Sequence, residues 1–77
     1  MFTLRDAVYV ANELGITFDH FSIQDLITGL NIELEHGYQN PITNITNNDL
    51  LFTAKIVLAH LMEFPNYYND EIGRAHV

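Results

Sequence analysis

The sequence predicts a small all-α domain, an irregular or orthogonal bundle of three main helices plus a short C-terminal helix, with the third helix at its centre. Three separate stretches repeat apolar residues at the helical period, and each is bounded by a capping residue or a glycine. The chain has 77 residues, 48% hydrophobic and 17% charged, which suits one folding chain and is too short for two cores.

The first helix starts after Thr3, a candidate N-cap, and places Leu4, Ala7, Val8, Ala11 and Leu14 on one face before Gly15 at the C′ position. Arg5, Asp6, Asn12 and Glu13 face water, with Tyr9 and Val10 on the flanks. The second helix opens on Ser22 and Asp25, a variant capping box with aspartate in the place of glutamate, and Phe21 and Leu26 suit a hydrophobic staple. Its stripe is Ile23, Leu26, Ile27, Leu30 and Leu34, with Ile32 on a second surface and Gly37 as the expected stop. Gly29 interrupts the stripe at a cost of about 1 kcal/mol against alanine, so it marks a kink or a close helix contact.

Residues 38–47 carry asparagine, threonine and proline without helical period and read as a loop. Thr46, Asn47 or Asn48 is the expected cap of the third helix, with Asp49 complementing its dipole. That helix runs to about Glu63. Leu50, Ala54, Val57, Leu58 and Leu61 form one face, and Phe52, Ile56 and Ala59 lie well round from it. Apolar residues on nearly every side predict a buried central helix. Pro65 ends it or opens a short fourth helix through Asn66, Tyr67 and Tyr68.

Charge narrows the function. Ten acidic residues against three basic ones give a formal charge of −7, with no basic stripe to neutralise phosphates, so nucleic acid is not an expected partner. The same balance argues against anionic membrane surfaces, and no apolar run approaches the roughly 20 residues of a membrane span. The absence of cysteine removes disulfides, thiolate chemistry and cysteine zinc sites. The Met1–Asp6 start lacks the form of a signal peptide, and a cytoplasmic protein of a microbial or phage-infected cell is expected.

The run Glu33-Leu34-Glu35-His36-Gly37, then Thr43-Asn44-Ile45-Thr46 and Asp49, then Lys55-Ile56, Ala59-His60-Leu61, Glu63, Pro65 and Tyr67-Tyr68, resembles a family of small helical proteins of unknown function from bacteria, archaea and phages. The likeness covers roughly residues 18–68. It implies a helical fold that continues as a helix beyond the tyrosine pair, and it supplies no catalytic residue. The last six residues, Ile72-Gly73-Arg74-Ala75-His76-Val77, resemble translated sequencing adapter, so residues 1–71 are expected to be one domain truncated at its C-terminal side, followed by an adapter-derived tail.

Two charged turns carry the candidate chemistry. Glu33 and His36 are three residues apart, as are His60 and Glu63, so each pair shares a helix edge. Two imidazoles and two carboxylates on facing helices suit zinc, manganese or iron, with Glu35 as an outer acceptor. Di-iron bundles differ, since they repeat Glu-x-x-His in one direction and add further glutamates. The preferred reading is a buried polar network without cofactor, in which His60 bonds Glu33 or Glu63 and Lys55 compensates an acid.

Thr53 lies on the His60 stripe, either orienting the imidazole or filling a gap. His20 sits in a loop and receives no role. Ser22 suits capping better than nucleophilic attack. Phe64, Tyr67 and Tyr68 either seal the core or form a recognition patch. No glycine-rich phosphate loop is present. The function expected is a non-enzymatic interaction or accessory module with a protein partner, the alternative being a metal-binding or metal-dependent enzyme at Glu33, His36, His60 and Glu63.

Overall fold

The computed structural model describes residues 1–39 and 49–68, which form three helices: α1 (Leu4–Leu14), α2 (Ile23–Gln39) and α3 (Leu50–Glu63). The described residues contain no strand. The caps were largely foreseeable. The Thr3 N–H donates to the Asp6 carboxylate at 2.8 Å, and Gly15 closes α1 at φ +66°, where a side chain would be strained. At α2, the Ser22 N–H donates to Asp25 (2.9 Å) while the Asp25 N–H donates to the Ser22 hydroxyl (3.1 Å), which completes the reciprocal box. At α3 the N-cap is Asp49 itself, whose carboxylate accepts from the Phe52 N–H at 2.8 Å. Residues 40–48, including the expected caps Thr46, Asn47 and Asn48, lie outside the described residues.

The core is built from Ala7 and Val10 of α1, Leu26 and Leu30 of α2, and Ala54, Val57 and Leu61 of α3, closed by Phe21 and Tyr68. Four expectations change. Helix α2 does not stop at Gly37 but continues to Gln39; Gly37 is buried, one inner-face step beyond Leu34, where packing outweighs the low helix propensity of glycine. On α1 the buried side is Ala7 and Val10, with Leu4 and Val8 about half exposed, so the helix is rotated from the expected stripe towards Val10. The central element is α2, which packs against both other helices while α1 and α3 meet least. Helix α3 is therefore not enclosed, and its outer face is open, with Phe52 at 51% and Met62 at 57% exposure.

After α3, Pro65 and Asn66 form a turn and Tyr67–Tyr68 return to helical backbone. The expected fourth helix is not shown by these two residues, and residues 69–77, which include the expected tail at 72–77, lie outside the described residues. The N-terminal segment is tied back as well. Asn31 accepts from the Phe2 N–H at 2.8 Å and donates to the Phe2 carbonyl at 2.9 Å, as well as to the Ile27 carbonyl at 3.1 Å.

Candidate functional site

The site arises where α2, the end of α3 and the Tyr67–Tyr68 turn converge. Gly29 and Glu33 are one helical turn apart on α2, so a notch without a side chain lies next to a carboxylate. The Tyr68 ring occupies the notch, where a β-carbon on Gly29 would sit 2.7 Å from its Cε2 and 2.6 Å from Val57 Cγ1. Gly29 thus marks a close contact. The ring is 1% exposed, and its hydroxyl donates to Glu33 Oε2 at 2.8 Å.

The same hydroxyl oxygen lies 3.0 Å from His60 Nδ1. His60 Nδ1 is 3.6 Å from Glu33 Oε2, and on the other side His36 Nδ1 is 3.9 Å from Glu33 Oε1. Glu33 is the most enclosed of these three side chains at 18% exposure, against 36% for His60 and 47% for His36. The imidazole of His60 also stacks on Tyr67, with ring centroids 4.3 Å apart at 35°. A phenol therefore stands between the imidazole and the carboxylate that the sequence pairs directly.

Of the candidate residues, the structure brings together Glu33, His36 and His60. Glu63, Glu35 and Lys55 are exposed, and neither Glu63 nor Lys55 makes a hydrogen bond or ion pair among the described residues. No group of three or more His, Asp or Glu side chains among the described residues is arranged to hold a metal ion. Thr53 is fully buried and its hydroxyl has no hydrogen-bond partner among the described residues, so it does not orient His60. Tyr67 and Tyr68 seal this end of the core, whereas Phe64 is 60% exposed.

Sequence reasoning missed Tyr68 as the bridging group. Its signal was the second tyrosine after Pro65, which the turn swings back over α2. A second feature was also missed. An open groove of about 270 Å³ runs between the α1–α2 connection and α3, with Leu14, Ile16, Phe21, Leu58 and Met62 as its apolar lining and Asp19 among its polar residues.

Residues 7–72 match the family described as Protein of unknown function (DUF5661). The chain belongs to this family. The DUF5661 match takes in α1 from Ala7 onward and the whole of α2 and α3, and agrees with the expected membership in a family of unknown function. No curated protein and no solved structure matches the chain. No described helix is long and apolar enough to cross a membrane.

Proposed function

We propose that this DUF5661 domain is a non-enzymatic interaction module that docks a basic amphipathic helix of another protein on the outer face of α3. The observation that carries the reading is the apolar stripe of exposed Phe52, Ala59 and Met62 with half-buried Ile56, spaced at intervals of three and four residues along one side of that helix. The spacing matches the anchors by which a helix lies in a groove. The open groove beside Met62 and Leu58 offers a recess for an apolar side chain. Charge selects the partner, because ten acidic and three basic residues favour a segment whose apolar anchors are flanked by lysine or arginine. A second copy of the chain would bring like charges together.

The same balance underlies a protein partner in preference to nucleic acid or an anionic membrane. A cysteine-free acidic domain fits the cytoplasm of a microbial or phage-infected cell, which belongs to this proposal. The imidazole–phenol–carboxylate cluster is read as a structural network that holds the end of α3.

A synthetic leucine–lysine amphipathic helix is the probe. Backbone resonances of Phe52, Ile56, Leu58, Ala59 and Met62 should shift on its addition, and the double substitution Phe52→Ser with Met62→Ser should weaken binding about tenfold or more, as expected when central apolar anchors are removed. Shifts scattered over acidic positions, unchanged by the double substitution, would refute the reading. A concentration-dependent dimer dissolved by Met62→Asp would assign the face to a second copy instead and equally overturn it.

A further inference from the structure

We propose that the groove beside Met62 selects which basic helix docks: one apolar anchor enters it, and a lysine or arginine within one turn of that anchor pairs with Asp19. This inference rests on the docking of a basic helix on α3 and adds the residue that discriminates among such helices. Met62 makes the link, because it belongs to the exposed stripe of α3 and also lines the groove. The two surfaces are continuous. A helix lying along the stripe from Phe52 meets Met62 about 15 Å further on, at 1.5 Å per residue over ten positions.

The groove suits a side chain. Its volume of about 270 Å³ lies just under the roughly 300–1,000 Å³ of pockets that enclose a small molecule, and Leu14, Ile16, Phe21 and Leu58 make its wall apolar. That wall is built in advance. Gly15 at φ +66° turns the chain out of α1, the Ile16 N–H donates to the Ala11 carbonyl at 2.9 Å, and Phe21, 6% exposed, returns it to the core. A connection pinned at both ends loses little freedom when a partner seats on it.

Asp19 adds a charge to this apolar recess. Its Oδ2 accepts from the Thr17 hydroxyl at 2.7 Å, and its N–H donates to the Thr17 carbonyl at 2.7 Å, which holds the carboxylate at the connection. A carboxylate has about four acceptor positions, and the hydroxyl takes one of them. The others suit an ammonium or guanidinium, while the apolar wall takes the methylene stem of either side chain. Charge thus acts at two ranges, since the net −7 draws in a basic segment and Asp19 sets where its cation stands.

The test uses the whole chain and the leucine–lysine helix at about 0.15 M salt, where a Debye length of about 8 Å suppresses distant charges. Asp19→Asn keeps an acceptor for Thr17 and should weaken binding about two- to fivefold, the size of effect of an exposed ion pair. Glu35→Gln removes the same charge from an exposed position outside the groove lining and should leave affinity unchanged. Replacing the peptide's lysines by glutamine one at a time should find one whose loss costs nothing further in Asp19→Asn. The amides of Gly15, Ile16 and Phe21 should shift together with those of Phe52 and Met62. Equal weakening by Glu35→Gln, no lysine coupled to Asp19, or unmoved Gly15, Ile16 and Phe21 amides while Phe52 and Met62 shift would each overturn this inference and leave the docking face standing. Unmoved Phe52 and Met62 amides would overturn both.

Discussion

Tyr68 packs its ring edge onto the backbone of Gly29, at a point where any β-carbon would come within 2.8 Å of two of its ring carbons. The contact joins the end of the described chain to the middle of α2 and places the phenol beside Glu33. Gly29→Ala should therefore destabilise the domain although alanine is the better helix former by about 1 kcal/mol. Overpacking costs about 1–3 kcal/mol, and three contacts at 2.6–2.8 Å put this site in the upper part of that range, about 2–3 kcal/mol, which leaves a net loss of roughly 1–2 kcal/mol. Urea unfolding measures it, and an equally or more stable variant would contradict the close contact.

Tyr68→Phe keeps the ring in its notch but removes the hydroxyl that links Glu33 to His60. Hydrogen bonds to charged groups are worth about 1.5–3 kcal/mol, and Glu33 retains some solvent access, so a loss near the lower end, about 1–2 kcal/mol, is expected. A denaturation midpoint indistinguishable from that of the unaltered chain would remove the phenol from the network.

Thr53 is the reverse case, a buried hydroxyl with no partner among the described residues. Thr53→Val exchanges that hydroxyl for a methyl group of similar size, and relief of an unsatisfied buried group should raise stability by about 1 kcal/mol. A clear fall in melting temperature would reveal a partner for the hydroxyl in solution.

Asn31→Ala deletes both hydrogen bonds that hold the Phe2 backbone. The cost should be about 1–2 kcal/mol, one ordinary hydrogen bond or two, and the Phe2 amide should lose protection from hydrogen exchange. Retained protection at Phe2 would show that packing of its side chain, not Asn31, holds the segment.

The three helices were legible because their starts and stops use local chemistry. Ser22 with Asp25, Thr3 with Asp6, and Gly15 act within a few residues, and periodicity does the rest. Long-range packing was not legible. Gly37 looks like a helix stop unless it is known to be buried, and Val10 looks like a flank until α2 and α3 are placed against it. The apolar girth of α3 suggested enclosure, but Phe52 and Met62 keep about half of their surface open. In the site, the pairing of Glu33 with His60 followed from two short motifs on facing helices. The intervening Tyr68 required a turn at Pro65 whose direction no local pattern specifies.

Asn31 and Glu33 are two positions apart, which turns a helix by about 200°, so the ties to Phe2 and Tyr68 leave α2 from nearly opposite sides. A tensile load applied between those two residues would cross α2 sideways instead of peeling it along its axis. The two anchorages are unequal, since Phe2 is only partly buried while Tyr68 is sealed in the core. In a pulling experiment the stretch before α1 should detach first at low force, followed by one larger rupture when the tyrosine leaves its notch. Release of both ends in a single event would show that the two anchorages yield together.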